Sequence, residues 1–159
     1  MRKYFFVAGL IFLAACTGND SSKETGNEDS TELPGVAYDI TPVWSYEYDS
    51  ASGAINMKKL REPNKEETSA PTLVTILNST WPDIQLQLVK TSRDTMYVSI
   101  PQPTVLTQQM GTTGATQYMA IATYTLTEMT GIRYVRFDFE EGDHAAPGTY
   151  SRADFTKGF

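Results

Sequence analysis

The side chains able to do chemistry are few in this chain. Of 159 residues one is cysteine, Cys16, and one is histidine, His144. A lone thiol has no partner for a disulfide and cannot build a thiolate metal site by itself, but it is a strong nucleophile and can accept a covalent group. His144 closes the run Glu140, Glu141, Asp143, His144. Its oxygens and imidazole could hold a hard cation or form an acid–base pair for a metal-assisted hydrolase. The same run also reads as a solvated turn in which Asp143 or His144 bonds to nearby backbone. No EF-hand spacing, zinc-binding H-E-x-x-H helix, G-x-S-x-G elbow or phosphate-binding glycine loop accompanies it. These four residues are therefore only weak metal candidates, and the sequence points to no cofactor and to no enzyme.

The surroundings of Cys16 are more specific. Basic Arg2 and Lys3 precede an apolar stretch from Tyr4 to Leu13, and the chain turns polar at Thr17. That stretch is short of the about 20 apolar residues a membrane-spanning helix needs, and it has the three parts of a secretory signal. Leu13-Ala14-Ala15-Cys16 resembles a bacterial lipobox, in which the thiol receives a diacylglycerol and cleavage leaves Cys16 at the new N-terminus. Several acyl chains give stable anchoring, since each buried methylene adds about 0.8 kcal/mol. The expectation is a signal peptide over 1–15 and a lipid-anchored protein of the cell envelope, placed at the outer membrane with the leaflet open.

From Thr17 to Gly35 the sequence offers one aliphatic side chain, Leu33, among Ser, Thr, Asn, Gly and five carboxylates. Such a stretch cannot offset the entropy of ordering, so residues 16–36 are expected to form the lipidated cysteine and a disordered acidic, polar tether holding the domain about 25 Å from the lipid. Nineteen acidic against thirteen basic side chains give a net charge of −6, and losing Arg2 and Lys3 with the signal makes the chain two charges more negative. Without Lys/Arg clusters to displace counterions, nucleic acid is not an expected partner.

Residues 37–159 read as one domain. Trp44, Tyr46 and Tyr48 alternate with polar residues, a turn follows at Asp49–Gly53, and Ala54–Leu60 forms the returning strand of a hairpin. Ser69-Ala70-Pro71 starts a helix with Leu73, Ile76 and Leu77 on one stripe, and Trp81-Pro82 stops it. Ile84, Leu86 and Leu88, then Met96, Val98 and Ile100, alternate as a second hairpin around Ser92-Arg93-Asp94. A long helix is predicted from about Thr113 to Met129, with Gly131 as its left-handed terminal residue, and Val135, Phe137 and Phe139 mark a last strand before a polar tail. The order ββ-α-ββ-α-β implies an α+β two-layer sandwich: a largely antiparallel sheet with both helices on one face, burying Leu86, Leu88, Val98, Ile100, Val135 and Phe137.

Several of these segments together resemble the GerM domain of sporulation and germination proteins. The likeness runs over about residues 43–142 through Tyr48-Asp49 to Gly53, Arg61, Leu73–Leu77, Thr95–Ile100 and Thr123–Val135, and its most specific part is T-L-T-E-x-x-G-I-x-x-V from Thr125 to Val135. The family usually carries a Gly-Pro pair where this chain has Trp81-Pro82. The resemblance implies a non-catalytic module of secreted or lipid-anchored envelope proteins, similar in fold to ring-building domains that assemble edge to face. The run Phe139–Gly148 looks like the version found in lipoproteins of the Bacteroidetes type, so a sporulation role is not carried over.

Binding candidates remain. The stripe Trp44, Tyr46, Tyr48 could stack sugar rings, as in a peptidoglycan- or glycan-binding module, or pack beneath a helix. The loop Met110–Gly114 could seat an anion on free backbone N–H groups or simply start the long helix. Asp29-Ser30-Thr31, Asp49-Ser50-Ala51 and Asp94-Thr95-Met96 resemble the Bacteroidetes O-glycosylation triplet, with Ser30, Ser50 and Thr95 as acceptors. The sequence thus points to a lipid-anchored envelope protein whose domain binds envelope proteins or further copies of itself, with peptidoglycan as the alternative partner and the hydrolase around His144 as the third reading.

Overall fold

Hydrophobic alternation puts one face of each central strand in the core, and the sheet follows from it. The structure is a computed structural model, and it describes residues 39–49, 51 and 54–156. Cys16 with Leu13, Ala14 and Ala15, the tether, Ser30 and Ser50 lie outside the described residues. Strands β1 (Trp44–Asp49) and β2 (Ala54–Lys59) form an antiparallel pair of their own. Helix α1 (Ala70–Thr80) follows, then β3 (Gln87–Ser92), β4 (Thr95–Ser99), a π-helical turn (Val105–Gln109), α2 (Gly111–Leu126), β5 (Tyr134–Asp138), β6 (Gly148–Tyr150) and a 3-10 turn (Arg152–Phe155). The second sheet has the order β3-β4-β5-β6, with β4 and β5 parallel across the α2 crossover and the other two pairs antiparallel. This is a two-layer α+β sandwich that is not closed into a barrel.

Helix α1 starts where its chemistry allows. The Ser69 hydroxyl accepts from the Thr72 N–H, Pro71 occupies the first turn where no N–H is needed, and Leu73, Val74, Ile76 and Leu77 are buried. Met96 and Val98 of β4 and Val135 and Phe137 of β5 are fully buried beneath the helices, while Tyr97, Ser99, Arg136 and Asp138 point to the wetter face. Tyr118, Ala122 and Leu126 fill the layer from α2.

Four details depart from the expectations. The six described strands do not share one sheet, because among the described residues β1 and β2 pair only with each other. Leu88 is 36% exposed rather than buried, since it sits on an edge strand just before a bulge that leaves Val89 out of register. Ile84 and Leu86 are buried, but in the segment before β3. Helix α2 runs from Gly111, so the Met110–Gly114 loop is the helix start itself, and it ends at Leu126, with Gly131 left-handed (φ 86°) in the following turn.

The tail is also more ordered than its composition suggests. Strand β6 pairs with β5, Tyr150 lies 5.9 Å from the Phe137 ring centroid and stacks on Phe155 at 5.8 Å, and Phe155 is buried. Ser151 and Asp154 cap the 3-10 turn reciprocally. Among the described residues no helix is long and apolar enough to cross a membrane.

Candidate functional site

The aromatic stripe of β1 divides into two environments. Trp44 and Tyr46 are half-buried against the core, while Tyr48 is 61% exposed. The Trp44 ring is already occupied: Tyr124 meets it edge-on at 4.9 Å, and the cations of Arg152 and Lys59 lie 5.1 and 5.6 Å from its centroid. Its Nε1–H donates to Glu128 at 2.9 Å. Glu128 accepts two more hydrogen bonds, from Arg152 at 2.7 Å and Lys59 at 3.1 Å. Arg152 also donates to the Thr127 hydroxyl and the Tyr124 carbonyl. Burial pushes the Glu128 carboxyl up, but its three donors outweigh that and hold it below the usual glutamate range. The node joins the β1–β2 hairpin, the end of α2 and the C-terminal turn.

A second ion pair fixes the start of the domain. Glu67, 1% exposed, accepts from Arg61 at 2.7 Å and from the backbone N–H groups of Asn64 and Asp39. Arg61 in turn donates to the carbonyls of Asp39 and Thr41. The hydrogen bond from Arg61 lowers the Glu67 pKa despite its burial. Arg61 and Glu128 both lie in the segments that carry the family resemblance, but their partners Glu67, Lys59 and Arg152 carried no signal of their own in the sequence.

The acidic run after β5 does not converge. Among the described residues no three His, Cys, Asp or Glu side chains are grouped so that they could hold a metal ion. Glu140, Glu141 and Asp143 are exposed. The His144 ring reaches the Thr112 hydroxyl at 3.2 Å and the His144 backbone N–H donates to the Thr107 carbonyl, so the loop is fastened to α2 and to the π-helical turn. Gly142 is needed there, because a Cβ at that position would come within 2.6 Å of the Thr107 side chain. Thr95, the described acceptor of the three glycosylation triplets, is half-buried at the start of β4 and donates to Asp94 at 3.3 Å.

One edge of the four-stranded sheet is open, a feature that no local sequence pattern marked. All six residues of β3 are exposed, and among the described residues no strand pairs with its outer edge. Beside that edge, on the wet face of the sheet, a shallow hollow of about 290 Å³ is lined by Val89, Tyr97, Val98, Arg136 and Asp138. Val89 is 59% exposed, and the Lys90 ammonium lies 4.9 Å from the centroid of the Tyr97 ring. An edge strand with unpaired N–H and C=O groups is a template for a further strand. Exposed Val89, half-buried Tyr97 and the charged Arg136 and Asp138 supply side-chain contacts beside it.

Comparison of the chain with family models, curated proteins and solved structures returned no match.

Proposed function

We propose that this chain is a lipid-anchored protein of the bacterial cell envelope, held through Cys16, whose GerM-like domain is a non-catalytic module that docks an envelope protein or a second copy of itself. The observation that carries the docking half is the open β3 edge beside the Val89–Tyr97–Arg136 hollow. Backbone pairing along such an edge supplies affinity, and pockets for alternate side chains supply selectivity. The lipobox residues Leu13, Ala14 and Ala15 before Cys16 support the anchor, and the acidic composition supports a partner other than nucleic acid.

The test is site-specific photo-crosslinking in the native host, with the crosslinker placed at Val89 on the edge or at Thr75 on the exposed side of α1. A discrete adduct from position 89 that is absent from position 75 is the expected result. Equal, diffuse labelling from both positions would overturn the docking surface.

A further inference from the structure

Two hollows meet at the Pro82–Asp83 step just beyond α1. One, of about 310 Å³, is walled by Trp81, Ile84, Val105 and Met110, and the other, of about 390 Å³, by Gln85, Gln87, Pro101 and Gln102; both include Pro82 and Asp83. Each lies in the size range of small-ligand sites, about 300–1,000 Å³. Their chemistries differ. The first is mostly apolar with an indole in its wall, the second adds the amides of Gln85, Gln87 and Gln102, the Asp83 carboxylate borders both, and neither is lined by Lys or Arg.

The walls are held in place by the fold. Asn78 of α1 exchanges two hydrogen bonds with the Leu86 backbone, at 2.8 and 2.9 Å. The Ile84 N–H donates to the Trp81 carbonyl and Gln85 Nε2 to the Pro82 carbonyl. The opposite wall is the π-helical turn, closed by the Met110 N–H on the Val105 carbonyl. Single π-helical turns concentrate at functional sites.

Behind the apolar hollow two buried polar groups find no partner among the described residues. The Trp81 indole N–H is buried and has no acceptor, in contrast to that of Trp44. Edge-on to Trp81, at 5.6 Å between ring centroids, stands Tyr118, whose buried hydroxyl also lacks a partner. Leaving one such group unmatched costs about 1–3 kcal/mol, so a fold that retains it invites a reason. In the polar hollow, Asp83, Gln87 and Gln102 are exposed and free to bond to a ligand.

We propose that the double hollow binds a neutral saccharide carrying an acetamido group. The acetamido methyl suits the Ile84, Val105 and Met110 wall beside the Trp81 ring, and its amide N–H can donate to the exposed Asp83 carboxylate that borders both hollows. Sugar hydroxyls both donate and accept, which matches amide side chains that do the same and a carboxylate that accepts. With no cation in either wall, a negatively charged sugar gains no ion pair. The site is separate from the β3 edge, so its failure leaves the docking proposal standing.

The chain has two tryptophans, Trp44 and Trp81, so its indole N–H groups give a two-signal NMR assay. The full chain in detergent is titrated with triacetylchitotriose and with cellotriose, the same sugar backbone without acetamido groups. The expected result is a saturable shift of the Trp81 signal with chitotriose, a Trp44 signal that stays in place, and cellotriose at least about tenfold weaker, equivalent to about 1.4 kcal/mol. Gln87→Ala and Gln102→Ala, both on the surface, should each weaken chitotriose several-fold with an unchanged ligand-free spectrum. No saturable Trp81 shift, equal binding of the two sugars, or a shift of Trp44 instead overturns the proposal. The disaccharide of N-acetylglucosamine and N-acetylmuramic acid, which carries a lactyl carboxylate, is titrated in parallel: weaker binding than chitotriose sustains a site for neutral sugars, and tighter binding overturns it.

Discussion

Trp44 and Glu128 are 84 positions apart in the chain and joined by a 2.9 Å hydrogen bond. The contact fastens a two-stranded hairpin, which is marginal alone in water, to the turn that follows α2. Because Glu128 also takes Lys59 and Arg152, removing it costs each cation one partner, leaving Lys59 to Glu62 and Arg152 to Thr127 and Tyr124, and unpairs the indole N–H. Glu128→Ala is expected to lower unfolding stability by about 2–3 kcal/mol in urea titration. Trp44→Phe, which keeps a ring but loses the N–H, should show a coupling of about 1 kcal/mol with it in a double-mutant cycle.

Acid should weaken the fold through the same carboxylates. Glu128 and Glu67 both have pKa values held below the ordinary range, so the folded state binds fewer protons than the unfolded one as pH approaches that range. Their contribution is fully present above the unfolded value, about 4.3, and is lost as pH falls through the depressed folded values. Melting temperature is expected to hold between pH 7 and pH 5 on this account and to fall below about pH 4. Glu128→Gln should start lower and fall less steeply, and an unchanged slope would count against the node as a source of acid sensitivity.

Tyr118 offers a substitution in the opposite direction. Its ring is fully buried, its hydroxyl has no partner, and burial pushes the phenol pKa upward. Tyr118→Phe removes an unmatched polar group and leaves none behind, so stability should stay level or rise by up to about 1 kcal/mol. A loss above that size in chemical denaturation would mean that the hydroxyl is paired after all.

Arg93 turns the β3–β4 hairpin with φ of 56°, the left-handed region that L side chains rarely adopt. Arg93→Gly is expected to raise the thermal midpoint, with a gain of about 0.5–1 kcal/mol after the extra entropy of the unfolded glycine is counted.

Cys16→Ser removes the proposed lipid acceptor without touching any described residue. Fractionation of the native host should move the protein from the membrane to the soluble fraction, with an unchanged circular dichroism spectrum. Membrane retention of the variant would refute anchoring through Cys16.

Much of the fold was legible in local patterns. The Ser69–Pro71 start of α1 and the alternation at Met96–Val98 and Val135–Phe137 appear as read, and Gly131 is left-handed as expected but in the turn after α2 rather than at its end. These features depend on neighbours within a few positions, where capping, ring constraint and side-chain period act directly. Strand β6 escaped notice because three residues are too few to show a period, although the Ser151-x-x-Asp154 cap beside it was written in the chain. Leu88 was misplaced because alternation names a face but not whether a helix covers it at the sheet edge.

By itself, then, the order of residues determined the type of most elements and which of their faces is apolar, because those are local properties of backbone and side chain. Only the tertiary structure decided which distant polar groups meet. It drew Trp44, Lys59 and Arg152 onto Glu128 and Arg61 onto Glu67, and it left the Trp81 N–H without an acceptor. A hydrogen bond needs its two atoms within about 3 Å. Sequence spacing cannot supply that closeness for residues dozens of positions apart, and the packing of whole elements does.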